Sequence, residues 1–343
     1  MSAPAPRSAL VLRSAEFRKG REAAWRQLDD VLTLIEKKGL QNLSAEELRQ
    51  LPLLYRTAAS SLSVARSIAL DRNLILYLEN LTLRGYFVVY GPRTGLIEGL
   101  AHFIKRGFPR AVRECAWPIL LAFLAVLVGV LAGFAIVDAN EQYFSLFAPA
   151  GLSGGRGPHS TAAELRNGEI FAPWPGFEES FLVFANALFR HNAQIGVLTF
   201  GLGVFAGAPT LVLLIVQGLM FGAFLALHAH RGLFVDFLGW ASIHGVTEFG
   251  ALILCGAGGF VIAEKILFPG QYSRLDNLAL NGQTAARLAG GAVLMLFAAG
   301  LIEGGFRQLI SDTPARFVFA LATAVIWLAY FLLAGRSDDA RQS

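Results

Sequence analysis

The feature that most constrains this chain is a run of 21 residues, Trp117–Val137, without one charged side chain. A hydrocarbon core about 30 Å thick takes roughly 20 apolar residues of helix. Inside it every backbone N–H and C=O must find its partner within the segment. Further apolar stretches follow at about Ala193–Ala208, Pro209–Leu227, Trp240–Ala263, Ala285–Gly304 and Ala315–Ala334. The turn Ala206-Gly-Ala-Pro209 separates the short second stretch from the third. The expected fold is all-α: a polytopic membrane bundle of about six spans with an N-terminal soluble helical domain.

Charge is distributed accordingly. Residues 1–115 hold 18 of the 29 Lys/Arg and 11 of the 25 Asp/Glu, an ordinary soluble balance. The remaining two thirds hold the other 11 Lys/Arg and 14 Asp/Glu. The N-terminus has no secretory h-region, because Arg13 interrupts the short apolar run from Ala9 to Leu12. Cys115 and Cys255, the only two cysteines, make a structural disulfide or a thiolate metal site unexpected. No cofactor or metal is expected, and no nucleic-acid partner.

Three amphipathic stripes organise the head. Trp25, Leu28, Leu32 and Ile35 give one, Leu54, Ala58, Leu62 and Ala65 a second, and Leu74, Leu78, Leu81 and Gly85 a third. Gly39 stops the first helix, and Ser44-Ala-Glu-Glu47 reads as a capping box opening the next. No nucleophile–base pair or metal-spaced ligand set occurs in this head, so it reads as a structural or docking domain. Residues 94–113 present Leu96, Ile97, Leu100, Phe103 and Ile104 beside Lys105, Arg106, Arg110 and Arg113. That pattern suits a basic helix lying on an anionic membrane surface.

The expected domains are a cytoplasmic helical domain at 1–92, an interfacial helix at 93–115 and a first span at 116–137. An external loop at 138–192, a membrane bundle at 193–335 and a cytoplasmic tail at 336–343 complete them. Lys/Arg bias puts the head inside and the acidic loop outside. Six spans return the C-terminus to the cytoplasm of a bacterial inner membrane. The loop carries a Gly-rich piece, Gly151–Pro158, without the Gly-Lys-Ser/Thr ending of a phosphate loop. After it, Phe177–Arg190 reads as an amphipathic segment along the outer surface.

Two further patterns mark the bundle. Small residues recur at four-residue spacing, in Gly203/Gly207, Gly218/Gly222, Cys255/Gly259 and Gly300/Gly304. Such pairs let helix backbones approach closely in lipid, either across a homodimer face or within one bundle. Ionisable groups also lie within the spans, where they are costly unless paired or facing a cavity. His244 and Glu248 share a helix face, and the topology brings Glu303 to the same outer depth. Gln217, His191 and Asn192 are the polar groups expected to join them. Three readings compete for this cluster: a polar lock between helices, a proton- or ion-binding site, and a metal-dependent hydrolase. The last lacks a His-Glu-x-x-His pair, and a Gly-x-Ser-x-Gly elbow is also absent.

The segment Phe184–Asn192, the Gly201/Gly203/Gly207 span, Gln217-Gly218 with Gly222, and His244-Gly-x-x-Glu248 followed by Gly256 and Gly259 resemble the stage II sporulation protein M family. In that family the third-span step is commonly Asn-Gly, so Gln217-Gly218 departs from it while keeping a carboxamide. Glu303 also looks like a family position. The resemblance covers roughly residues 177–310, and the head and long loop look like versions from non-sporulating Gram-negative bacteria. It implies an integral membrane protein without established enzymatic chemistry. The sporulation member works as a scaffold anchoring a peptidoglycan-degrading complex. The resulting expectation is a cell-envelope scaffold or assembly factor, a homodimer in contact with membrane lipids. Its head and loop would dock envelope or cytoplasmic proteins. The alternative is a proton- or ion-linked transporter or flippase using the His/Glu cluster.

Overall fold

The computed structural model describes residues 17–67, 71–90, 96–174, 176 and 185–336. The chain forms two compact units, residues 1–98 and 99–343. The first holds helices α1 (Glu22–Lys38), α2 (Ala45–Ser67) and α3 (Arg72–Tyr90). Trp25, Leu28, Leu32, Ala58, Ala65, Leu74, Leu78 and Leu81 form their common core, with Leu54, Leu62 and Ile35 at its margin. The buried Trp25 indole N–H donates to Ser61 Oγ at 3.1 Å, so its one polar atom is not left dry. Gly39 takes a positive φ of 80° at the end of α1. Ser44 and Glu47 make the reciprocal bonds of a capping box.

The second unit opens with α4 (Leu96–His102), a π-turn at Phe103–Gly107 and α5 (Phe108–Glu114). Residues 94 and 95, and the Leu96 side chain, lie outside the described residues. This stretch is more than a surface helix. Phe108 and Ala111 are buried in the bundle core, and Gly291 provides the space for the Phe108 ring. Within the same stretch, Arg113 Nη1 donates to the carbonyls of Phe331 and Ala334 at 2.8 and 2.9 Å, which caps the last helix. Arg110 pairs with Glu114 at 2.7 Å, while Lys105 and Arg106 are exposed.

The bundle proper comprises α6 (Ala116–Ala139), α7 (Ala185–Gly201), α8 (Ala208–His230), α9 (Phe234–Leu267), α11 (Gln283–Phe306) and α12 (Thr313–Leu333). The short α10 (Arg274–Asn281) precedes α11. Five of these, all but α7 and α10, are long and apolar enough to cross a membrane. The expected second span is the 17-residue α7, which passes through a 3-10 turn at Leu202–Val204. A sharp bend with positive φ at Ala206 and Gly207 then leads into α8. Although short, α7 still carries the chain from the loop end to the opposite end: Phe189 meets Phe297 edge-to-face, and Gly203 sits against Gly259. The start and end of the bundle thus meet at one end, where Arg113 caps α12.

Glycine sets the closest approaches. A Cβ on Gly218 would lie 2.9 Å from the Gly129 Cα and from the Val130 nitrogen, and one on Gly222 would lie 2.7 Å from the Phe134 nitrogen. Gly203 and Gly259 touch backbone to backbone. In lipid, packing rather than hydrophobicity drives helix association, and these glycines serve it within the chain. Gly207 turns into α8 against Ala263, and Gly300 and Gly304 are buried in α11. The first span contributes Gly129 and Gly133, which the four-residue patterns named above do not include.

Residues 138–174 do not hang free. Phe144, Leu165 and Ile170 are buried against the α8 and α9 ends. Arg231 donates to the carbonyls of Ser160 and Pro158 at 2.8 and 2.6 Å and pairs with Glu141 at 2.6 Å. Arg166 reaches Asp236 at 3.2 Å, and the buried Arg316 donates to the Ile170 carbonyl at 2.6 Å. The Gly-rich piece is part of this folded cap. The expected surface segment from Phe177 to Phe184 lies outside the described residues.

Candidate functional site

Beneath the cap lies a cavity of about 920 Å³. All six residues of the expected polar cluster, His191, Asn192, Gln217, His244, Glu248 and Glu303, line it. Three of them converge. His244 and Glu248 stand one turn apart on α9, and the antiparallel α11 brings Glu303 opposite. His244 Nε2 lies 3.7 Å from Glu303 Oε1, and one N or O atom from each of the three lies within 4.8 Å of the others. His191, Asn192 and Gln217 are wall residues, on α7 and α8.

The remaining charged partners lie outside the expected cluster. Arg307, one turn beyond Glu303, donates to its carboxylate, and its guanidinium lies 4.6 Å from the Trp240 ring centroid. Trp240 also meets the His244 ring edge-on, with centroids 6.2 Å apart. From the cap, Arg156 pairs with Glu169 and lies 4.4 Å from the Phe224 ring centroid. Glu169 Oε2 stands 3.5 Å from Nε2 of the buried His228, whose ring stacks on Phe237 at 3.8 Å. Gln308 donates to the Glu169 carbonyl at 3.0 Å and ties the cap to the end of α11. The Glu303/Arg307 pair was legible as a four-residue spacing. Arg156, Glu169 and His228 were not, since only the folded loop brings them together.

Counting charges gives the site its character. Among the described residues, three carboxylates enclosed by the cavity, Glu169, Glu248 and Glu303, face two guanidiniums, Arg156 and Arg307. Glu164 also reaches the lining but is exposed at the rim and held by Thr161. The two arginines take Glu169 and Glu303. Glu248 is left with His244 as its titratable neighbour on α9, so the carboxylates outnumber the guanidiniums by one. Isolated charge in a low-dielectric interior costs several kcal/mol, so this carboxylate calls for a proton or an added cation. The wall is mixed: guanidinium, carboxamide and indole groups share it with the apolar Ile195, Phe221, Leu252 and Leu296.

The stage II sporulation protein M family model matches residues 120–306, more than half of the chain. The chain belongs to that family. The matched region holds α6 through α11, including His244, Glu248 and Glu303, and ends just before Arg307. Residues 15–91, the first helical unit, match a domain family of unknown function. No curated protein and no solved structure matches the chain. The protein is therefore a multi-pass membrane protein of the family, carrying a separate helical head.

Proposed function

We propose that this protein binds a polar or amphiphilic solute in the capped cavity and moves it across the membrane in step with a proton or a cation. The observation that carries this reading is the joint placement of His191, Asn192, Gln217, His244, Glu248 and Glu303 on one cavity wall, with one carboxylate in excess of its cations. A polar lock between helices would bury matched partners and leave no space. Here His244 Nδ1, Trp240 Nε1 and Gln308 Oε1 have no hydrogen-bond partner among the described residues. A buried polar atom left unpaired costs about 1–3 kcal/mol; such atoms are what an absent ligand would satisfy. The head lies on the cytoplasmic side of a bacterial inner membrane and the acidic cap outside, on the Lys/Arg asymmetry.

The scaffold reading keeps one observation in its favour. The end of α3 exposes Leu83, Tyr86, Phe87 and Tyr90, an aromatic surface suited to a protein partner. The cap, the other expected docking surface, packs on the bundle through Phe144, Leu165 and Ile170. The two roles are compatible in one chain, with transport in the bundle and docking through the head.

The test uses proteoliposomes with a pH-sensitive dye inside, challenged with size-fractionated small-molecule extracts of bacterial cells. Wild-type protein should move protons when an active fraction is added, and Glu248→Gln, folded by circular dichroism, should not. If every fraction leaves wild-type vesicles indistinguishable from empty ones, the transport reading fails and head-directed cross-linking becomes decisive for the scaffold.

A further inference from the structure

The cation that completes this cavity need not be a proton, and the geometry points to a specific alternative. We infer that His244, Glu248 and Glu303 form a binding site for one divalent first-row transition metal ion, of the zinc class. The inference rests on the cavity reading above and names the ion that the cavity holds.

Three observations support it. First, the ligand set has the right chemistry and spacing. Atoms bonded to one tetrahedral ion at about 2.1 Å sit roughly 3.4 Å apart. The His244 Nε2 to Glu303 Oε1 separation of 3.7 Å is too long for a hydrogen bond and close to that spacing. The third ligand atom, from Glu248, lies within 4.8 Å of both. An imidazole with two carboxylates favours zinc, manganese, iron or cobalt over calcium or magnesium, which prefer all-oxygen shells. Three protein ligands also leave a coordination position open towards the cavity.

Second, the surroundings hold the ligands in place. Arg307 donates to the Glu303 carboxylate, the kind of outer contact that orients a metal-binding carboxylate. His244 and Glu248 sit one turn apart on a single rigid helix, α9, so their relative position does not depend on a loop.

Third, an independent group awaits a ligand. Trp240 is only 7% exposed and lines the same cavity, and its ring meets the His244 ring edge-on. Its indole N–H has no acceptor among the described residues. An oxygen held at the open coordination position, from water or substrate, would supply one. The charge count agrees in sign. A divalent ion turns the excess of one negative charge into an excess of one positive charge, which suits an anionic group on the solute.

The decisive experiment is metal binding by tag-free, full-length protein in detergent. After stripping with a chelator, the protein is titrated with Zn²⁺ alone and with Co²⁺ alone. Metal content is read by mass spectrometry and the Co²⁺ site by its visible absorption. We expect one Zn²⁺ per chain and a Co²⁺ spectrum of low-coordinate N/O type. Glu248→Gln and His244→Ala should each weaken binding by more than the about 10–100-fold that loss of an outer-shell partner costs. Binding of less than one tenth of an equivalent by folded wild-type protein overturns the site, as does unchanged affinity in both variants. If proton-coupled flux persists in metal-free protein that binds neither ion, the metal site is wrong and the transport reading stands. Stoichiometric binding without any flux gives the converse.

Discussion

Replacing Glu303 and replacing Glu248 by glutamine are the same chemical change within one cluster, yet the charge count predicts opposite consequences. The Glu303 side chain is 6% exposed and its guanidinium partner on Arg307 is 13% exposed. Glu303→Gln removes the carboxylate that accepts from that guanidinium, and breaking a buried pair from one side costs about 3–5 kcal/mol. The Trp240 face remains beside Arg307 and returns about 1–2 kcal/mol of that. The net loss is about 1–4 kcal/mol. For a unit of this size, 1 kcal/mol moves the melting temperature by roughly 2–4 °C, so Glu303→Gln should melt about 2–16 °C lower. Glu248→Gln removes the surplus carboxylate and breaks no guanidinium pair, so its melting temperature should hold or rise. The assay is thermal unfolding in detergent followed by circular dichroism, with metal chelated throughout. The double variant Glu303→Gln/Arg307→Met should recover most of the loss, since no unpaired charge is left. If Glu248→Gln destabilises as much as Glu303→Gln, or the double variant is worse than the single one, the charge assignment is wrong.

Glycine contacts give a second prediction. Gly218→Ala pushes a Cβ into the α6 backbone and should cost about 1–3 kcal/mol, whereas Gly245→Ala meets only a Phe249 ring carbon at 3.9 Å and should be neutral or stabilising; melting of the two variants side by side checks this. Arg113→Gln removes two charge-assisted bonds to the α12 end. Hydrogen exchange there should speed up about 10–100-fold, for a local loss of about 1.5–3 kcal/mol. Arg231→Ala releases three anchors of the cap, so limited proteolysis should cut within residues 150–165 well before it does so in wild type. In the head, Ser44→Ala should cost about 1 kcal/mol by loss of the capping box, read as a lower urea midpoint of the head transition.

Much of the architecture was legible because its causes are local. A charge-free run of 21 residues has one stable conformation in a bilayer, whatever its neighbours. The head stripes, the Gly39 stop and the Ser44/Glu47 cap follow from helical period and from one side chain bonding the next turn. His244, Glu248 and Glu303 stood out because ionisable groups in apolar runs need a reason to be there. Topology, which follows from counting spans, was enough to bring them to one depth. The short α7 was harder to read: its apolar run is brief, and its bend rests on two positive φ values at Ala206 and Gly207.

The rest depended on contacts between segments far apart in the chain. Arg113 reads as a surface cation by composition, but it caps a helix that ends some 220 residues later. The loop 138–174 reads as acidic and Gly-rich, hence mobile. Its fold is set by Arg231 and Arg316 of the bundle, and sequence spacing carries no record of that. The same folding delivers Arg156 and Glu169 to the cavity and fixes which carboxylates are neutralised. Thus the sequence by itself determined that this chain is a helical membrane bundle with charged groups at one depth, since lipid acts on each segment separately. Only the tertiary structure decided that those groups surround a capped space with one carboxylate to spare, because a cavity and its balance of partners belong to no single segment.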